Sequence, residues 1–104
     1  MTPEERDAMI LQRKLLLSNL ATLYPSAMPG DSLFRTTLGV FPEYTRHRCS
    51  RDLMYLEEKG YIVRKKAGRR DNPNEGEWRT IHWAATAKGL DVSQSVTEDS
   101  TLEL

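Results

Sequence analysis

The chain has very little cysteine, because Cys49 is the only one among its 104 residues. A single cysteine excludes a disulfide within the chain and any zinc site built from several cysteines. No apolar run approaches the roughly 20 residues that a membrane-spanning helix needs. The amino-terminal stretch MTPEERD is acidic and lacks the charged-then-apolar pattern of a secretory signal. These absences predict a cytoplasmic protein without a membrane partner.

The motifs of common enzyme mechanisms are also absent from the sequence. It contains no Ser-His-Asp order, no HExxH, no phosphate-binding loop and no pair of carboxylates spaced for acid–base catalysis. Cys49 stands at an apolar position of a helical pattern, which favours a small core residue over a redox or metal-ligating role. We therefore expect a protein that is not an enzyme and that uses no cofactor or metal.

Charge is plentiful but balanced, since 15 Lys and Arg offset 15 Asp and Glu. Residues 46–70 hold nine Lys or Arg against three acids, a local charge of +6, whereas residues 91–104 hold four acids and no base. The basic middle favours an anionic partner such as nucleic acid. Residues 93–104 are polar and acidic, which is typical of a mobile tail, so we expect a single domain at residues 1–92.

The first helix is predicted to run from Thr2 to about residue 24. Thr2, Pro3 and Glu5 form the capping pattern of a helix start. Two interpretations stay open: a well-buried helix, or a helix that also packs against a second subunit. An apolar stripe with a helical repeat follows the cap and comprises Ala8, Leu11, Leu15, Leu16, Leu20 and Leu23, with Met9, Ile10 and Leu17 widening it.

Two further helices are predicted from breakers and caps. Residues 25–30, PSAMPG, contain two prolines and a glycine and indicate a linker. A short helix follows over about residues 31–39. A third helix begins at Pro42 or at Thr45 and ends at Gly60, which suits the left-handed position after a helix.

A β-hairpin is predicted after the third helix. Its strands lie at residues 61–66 and 77–85, and the loop at 67–76 is rich in glycine, asparagine and proline. The alternation of the second strand places Ile81 and Trp83 toward the core. Thr86 then caps a short turn or helix.

This order of elements is that of a winged helix-turn-helix, and two motifs carry a resemblance. The run LEEKGYIVRK (residues 56–65) is similar to the end of the recognition helix and the first wing strand of MarR, PadR and ArsR-like regulators. The run WAATAKGLDV (residues 83–92) resembles the segment after their wing. The resemblance covers about residues 30–92. The sequence departs from the family where the connection after Gly39 is longer than the roughly 3–4-residue turn usual in the motif.

The resemblance implies an α+β fold, namely a winged helix-turn-helix of three helices with a two-stranded β-hairpin wing and a short C-terminal helix or turn. In that family the third helix buries the positions of Cys49, Leu53 and Leu56. It turns the positions of Ser50 and Arg51 toward the major groove of DNA.

The basic residues suit such an interface chemically. Arginine offers a planar fork that can bond guanine O6 and N7, and Lys and Arg neutralise phosphates. Cations on the first strand would follow the DNA backbone, and those at the wing tip would enter a minor groove. The predicted DNA-binding residues are Arg46, Arg48, Ser50, Arg51, Arg64, Lys65, Lys66, Arg69 and Arg70.

We therefore predict a sequence-specific double-stranded DNA-binding transcriptional regulator. It would act as a homodimer through the first helix and read half-sites about one helical turn apart. Its compact size resembles small regulators encoded by phages and prophages. The alternative is a winged-helix protein-interaction module, such as a phage-type accessory protein, without sequence-specific DNA binding.

Overall fold

The computed structural model describes residues 2–65 and 78–95. Four helices and three short strands make an α+β fold, as the sequence predicts at that level. The predicted loop at 67–76 and most of the predicted tail lie outside the described residues, as do Lys66, Arg69 and Arg70. The elements are α1 (Pro3–Leu23), β1 (Met28–Pro29), α2 (Gly30–Val40), α3 (Arg46–Glu58), β2 (Ile62–Lys65), β3 (His82–Ala85) and α4 (Ala87–Ser95).

The start of α1 follows the predicted capping pattern. The Thr2 Oγ1 atom accepts a hydrogen bond from the Glu5 backbone N–H at 3.1 Å, and Pro3 occupies the first turn. This satisfies one backbone donor that a helix terminus leaves without an intrahelical partner.

The predicted apolar stripe of α1 is wrong in part. Leu16 and Leu20 are buried as expected, but Leu11 is 52% exposed. The polar residues Gln12 and Arg13 are buried in its place. The reason is tertiary: a buried carboxylate on α3 bonds Arg13, and a charge partner outweighs the preference of the interior for an apolar side chain.

The segment predicted as a linker contains a strand. Met28 pairs with Trp83 and Pro29 with His82, so β1 joins β3 in an antiparallel sheet whose order is β1-β3-β2. The predicted two-stranded hairpin is therefore part of a three-stranded sheet. A two-residue strand has no alternation pattern of its own, and it is defined only by the partner strand.

The second and third helices have the predicted order and a connection at residues 41–45. Of the two predicted starts for α3, the structure selects Thr45, whose Oγ1 accepts from the Arg48 N–H at 3.1 Å. Gly60 ends the helix with φ +81°, as predicted. The Tyr61 N–H bonds the Leu56 carbonyl at 3.0 Å, which is the long bond of a glycine-terminated helix end.

The core lies between α3, α1 and the sheet. Cys49, Leu53 and Leu56 of α3 are fully buried, which confirms their predicted positions. Trp83 of the central strand is fully buried as well. The second hairpin strand is shorter than predicted, because it begins at His82 and residues 78–80 form a turn.

The start of α4 is tied to the end of α3. Thr86 caps α4 by accepting from the Gly89 N–H at 3.0 Å, and its own hydroxyl bonds the Gly60 carbonyl at 2.6 Å. Gly89 leaves room for the Tyr61 carbonyl, which a Cβ atom at that position would overlap. Across residues 2–65 and 78–95, every helix is too short or too polar to cross a membrane.

Candidate nucleic-acid interface

The first turn of α3 carries Arg46, His47 and Arg48 and no acid. Arg46 and His47 are exposed, and Arg48 is half-buried with one guanidinium N–H 3.5 Å from the Glu43 carbonyl. The amino terminus of a helix is the positive end of its macrodipole. Cations at that end repel the dipole, so this arrangement is unfavourable in the isolated protein and favourable beside an anion.

A cleft of about 190 Å³ opens beside this first turn. Arg46, His47 and Ser50 line one side of it, and Trp78 and Arg79 line the other. Arg79 is a cation that the sequence analysis did not assign to the site. The sequence marks it only as one more strand residue, and its nearness to Arg46 depends on the tertiary fold.

Backbone contacts fix the segment that carries Arg79. The Asp31 N–H bonds the Arg79 carbonyl at 2.9 Å, and the Gly30 N–H bonds the Ile81 carbonyl at 3.0 Å. Gly30 lies so close to the Trp78 carbonyl that a Cβ atom there would overlap it. The start of α2 therefore holds Arg79 in place beside α3.

Trp78 packs the same segment against the core. Its side chain is buried, and its ring meets Phe34 edge to face at 6.5 Å between centroids. Its carbonyl accepts a hydrogen bond from the indole N–H of Trp83 at 3.1 Å. Arg46 in turn lies 5.4 Å from the centre of the Phe34 ring, within the range of a cation–π contact. The packed aromatic side chains of Phe34 and Trp78 thus support the cationic cleft.

The opposite flank of α3 is organised by Asp52, which is fully buried. Its Oδ1 atom accepts from Arg13 Nε of α1 at 2.9 Å and from Arg51 Nε at 3.1 Å. Its Oδ2 atom accepts from the Tyr44 hydroxyl at 2.9 Å. The Arg13 guanidinium also covers the Tyr55 ring at 3.9 Å. This group, the Asp52 cluster (Arg13, Tyr44, Arg51 and Asp52), fixes α1 and the connection at 41–45 against α3.

Burial governs ionisation next to this cluster. Removal from water raises the pKa of the Tyr44 hydroxyl, and the neighbouring Cys49 and Asp52 raise it further. Burial also raises the pKa of the Cys49 thiol to about 12, although a hydrogen bond with Tyr44 acts in the opposite direction. Cys49 is therefore a protonated core residue at neutral pH.

The cations of the first strand differ in their surroundings. Arg64 donates from Nε and Nη2 to the two oxygens of Glu57, at 2.6 and 2.8 Å. It also lies 5.5 Å from the centre of the Trp83 ring. Lys65 is exposed. Glu57, at the far end of α3, thus offsets the charge of Arg64.

The predicted site residues thus fall into separate groups. The cleft brings Arg46 and Ser50 together with Arg79, the Asp52 cluster holds Arg51, and Glu57 holds Arg64. In the described part of the chain no three His, Cys, Asp or Glu side chains are grouped so that they could hold a metal ion.

No family model matches the chain, and neither a curated protein nor a solved structure matches it.

Proposed function

We propose that the chain is a winged helix-turn-helix protein that binds double-stranded DNA and regulates transcription. In this proposal α3 enters the major groove, and the segment between β2 and β3 is the wing. The observation that carries the proposal is the cationic front of α3, with Arg46 and Arg79 meeting across one cleft.

The charges in the first turn of α3 raise the electrostatic energy of the protein when no anion is bound. Each cation in the first turn of a helix opposes the macrodipole by about 0.3–1 kcal/mol. A DNA phosphate at the helix terminus would reverse the sign of that interaction, because it attracts both the cations and the backbone N–H groups. Two aromatic side chains and two backbone hydrogen bonds hold the cleft in place, so little reorganisation would accompany phosphate binding.

The arrangement of elements also supports the proposal. α3 buries Cys49, Leu53 and Leu56, so the opposite side of the helix, with His47 and Arg51, faces outward. The cleft borders one flank of that outward side, and the Asp52 cluster borders the other. A helix with a cationic outward side and a basic neighbour on the wing flank suits one major groove and the adjacent backbone.

A homodimer through α1 belongs to the same proposal. Leu11 is half-exposed on α1, where a second copy could cover it. Two copies would then present their α3 helices to half-sites about one helical turn apart. Sedimentation of the wild-type chain and of Leu11→Lys tests this, since a charge at the interface should shift a dimer to monomers. Identical sedimentation of both would refute α1 as the dimer surface.

The DNA proposal is tested by fluorescence anisotropy with a random-sequence duplex at about 50 mM salt. Arg46→Ala and Arg79→Ala should each weaken binding and make the salt dependence shallower by roughly one phosphate contact, a change of about 0.9 in the slope of log K against log salt. Lys88→Ala is the matched control. Lys88 lies on α4 and bonds the Lys59 carbonyl at the far end of α3, so its loss should leave binding unchanged.

A second candidate function is a protein-interaction module that uses the same fold. The exposed apolar residues Leu11 and Val40 favour it, since they offer contact area without charge. Selection of duplexes from a random pool separates the two candidates. Enrichment of a palindrome would support a dimeric regulator. A folded protein that binds no duplex at 50 mM salt would refute the DNA proposal and leave the interaction module.

A further inference from the structure

We propose that Arg51 reads a guanine in the major groove and that Asp52 is the positioning residue that fixes its guanidinium for this contact. This inference rests on the proposed function, because it assumes that α3 lies in DNA. It goes further by assigning one base and one pair of residues to sequence recognition.

Hydrogen bonds hold the Asp52 carboxylate in one orientation. Asp52 is fully buried and its two oxygens accept from three side chains: Arg13 of α1 at 2.9 Å, Tyr44 of the connection before α3 at 2.9 Å and Arg51 of α3 at 3.1 Å. An acceptor with partners on both oxygens has little freedom to rotate. Its position relative to α3 is therefore set before any ligand binds.

Asp52 contacts one edge of the Arg51 guanidinium and leaves another edge for a ligand. Nε and Nη2 both lie 3.1 Å from the same oxygen, Oδ1. A guanidinium has five N–H donors in a fixed plane. The Asp52 contact occupies the side edge, so the Nη1 hydrogens and the second Nη2 hydrogen form the end that is directed away from Asp52. The Arg51 side chain is 36% exposed, so part of it is accessible to a ligand.

Guanine presents two adjacent acceptors, O6 and N7, in the major groove, and they match the Nη1–Nη2 end of an arginine. Adenine replaces O6 by an amino donor, which repels the same group. A preoriented arginine loses less rotamer freedom on binding than a free one. Its preference for guanine is correspondingly sharper.

The charges around Asp52 also favour a contact between Arg51 and guanine. Asp52 carries one negative charge and bonds two arginines, Arg13 and Arg51, so the cluster keeps an excess positive charge. Arg64 offers the contrast, since Glu57 bonds it through both carboxylate oxygens. Arg51 therefore combines a fixed orientation with an electrostatic attraction for the acceptor-rich edge of guanine.

The experiment begins with duplexes that the wild-type chain selects from a random pool. Each guanine in the selected site is then replaced by 7-deazaguanine, which removes the N7 acceptor and keeps Watson–Crick pairing. At one position, the replacement should weaken wild-type binding at least several-fold, within the roughly 5- to 150-fold discrimination of a bidentate contact. Arg51→Ala should bind the normal and the modified duplex equally at that position.

Arg48→Ala is the matched control for Arg51→Ala. Arg48 lies on the same helix, and its guanidinium donates to the Glu43 backbone carbonyl at 3.5 Å rather than to a carboxylate. Its removal should weaken binding to all duplexes similarly and preserve the sensitivity to 7-deazaguanine. If Arg51→Ala keeps the wild-type sensitivity at every guanine, or if no guanine is enriched by the selection, Arg51 does not read a guanine.

Asp52 is tested by the same readout. Asp52→Asn, checked for folding by circular dichroism, should reduce the discrimination between guanine and 7-deazaguanine and change the affinity for random duplexes much less. Unchanged discrimination would overturn the positioning role. If Asp52→Asn does not fold, Tyr44→Phe takes its place, because it removes one hydrogen bond to Asp52 without changing a charge. It should lower the discrimination in the same way, and unchanged discrimination would again overturn the role.

These outcomes are distinct from failure of the proposed function. A folded wild-type chain that binds no duplex would refute DNA binding itself. Binding to duplexes without a guanine contact that depends on Arg51 would refute only this inference.

Discussion

Replacing Asp52 by Asn should destabilise the fold severely, because it removes the negative charge from the buried Arg13–Asp52 ion pair. Arg13 Nε donates to Asp52 at 2.9 Å, and the two side chains are 9% and 0% exposed. Removing one partner of a buried ion pair costs about 3–5 kcal/mol. The total free energy of unfolding of a domain is typically about 5–15 kcal/mol. The variant should therefore lose a large fraction of its stability.

Urea denaturation followed by tryptophan fluorescence measures this loss. Trp78 and Trp83 are both buried, so their emission should change on unfolding. Asp31→Asn is the matched control, because its ion pair with Arg35 lies at the surface, where the Arg35 side chain is 76% exposed. That control should cost no more than about 1 kcal/mol, including its place in the first turn of α2.

A double replacement separates the ion pair from packing. Arg13→Met combined with Asp52→Asn removes both charges and keeps similar volumes, so it should be more stable than Asp52→Asn alone by about 2 kcal/mol or more. Equal stability of Asp52→Asn and the Asp31→Asn control would refute the reasoning. So would additive effects of the two replacements, since they would mean that Arg13 and Asp52 do not interact.

Three further predictions concern a glycine pair, a thiol and a partly buried ion pair. Gly30→Ala should lower the free energy of unfolding by about 1–3 kcal/mol in urea, because its Cβ would overlap a backbone carbonyl. Gly39→Ala, with nothing within 4 Å in the same helix, should raise it by up to about 1 kcal/mol. Burial raises the pKa of the Cys49 thiol from 9.0 to about 12. The contribution of the protonated thiol to the free energy of unfolding is therefore complete below pH 9 and declines between pH 9 and 12. Relative to Cys49→Ala, wild-type stability should fall by about 1.4 kcal/mol per pH unit in that range, and parallel curves would contradict this. Glu57→Gln should remove the carboxylate charge that offsets Arg64 and strengthen the attraction of Arg64 for phosphate. The salt dependence of DNA binding should then steepen by about 0.9 in log–log slope, and an unchanged slope would show that Arg64 stays out of the interface.

Local signals account for what the sequence predicts correctly. Thr2 and Thr45 cap helices through contacts three residues away, and Gly60 adopts the positive φ expected after a helix. The buried side of α3 follows from the spacing of Cys49, Leu53 and Leu56. Each of these features is decided within about one or two helical turns, so no knowledge of distant residues is needed.

The features that the sequence analysis missed depend on residues far apart in the chain. Arg13 and Asp52 are 39 positions apart in the chain. Nothing in the α1 sequence pattern indicates that Arg13 is buried or that Leu11 is exposed. Asp52 does carry a signal, because it follows Cys49 by three residues on the apolar side of α3, where a carboxylate requires a partner. β1 and the place of Arg79 beside Arg46 exist only through pairing with other segments.

The ties at both ends of the segment 66–77 have a consequence for protein engineering. Lys65 is paired with His82 in the sheet, and Trp78 is packed into the core, so the residues that flank this segment are both fixed. The hydrogen bonds from Thr86 and Lys88 to the end of α3 do not involve that segment. Both flanking positions are therefore defined junctions, at which replacement segments can be joined to the fold and screened for new binding properties.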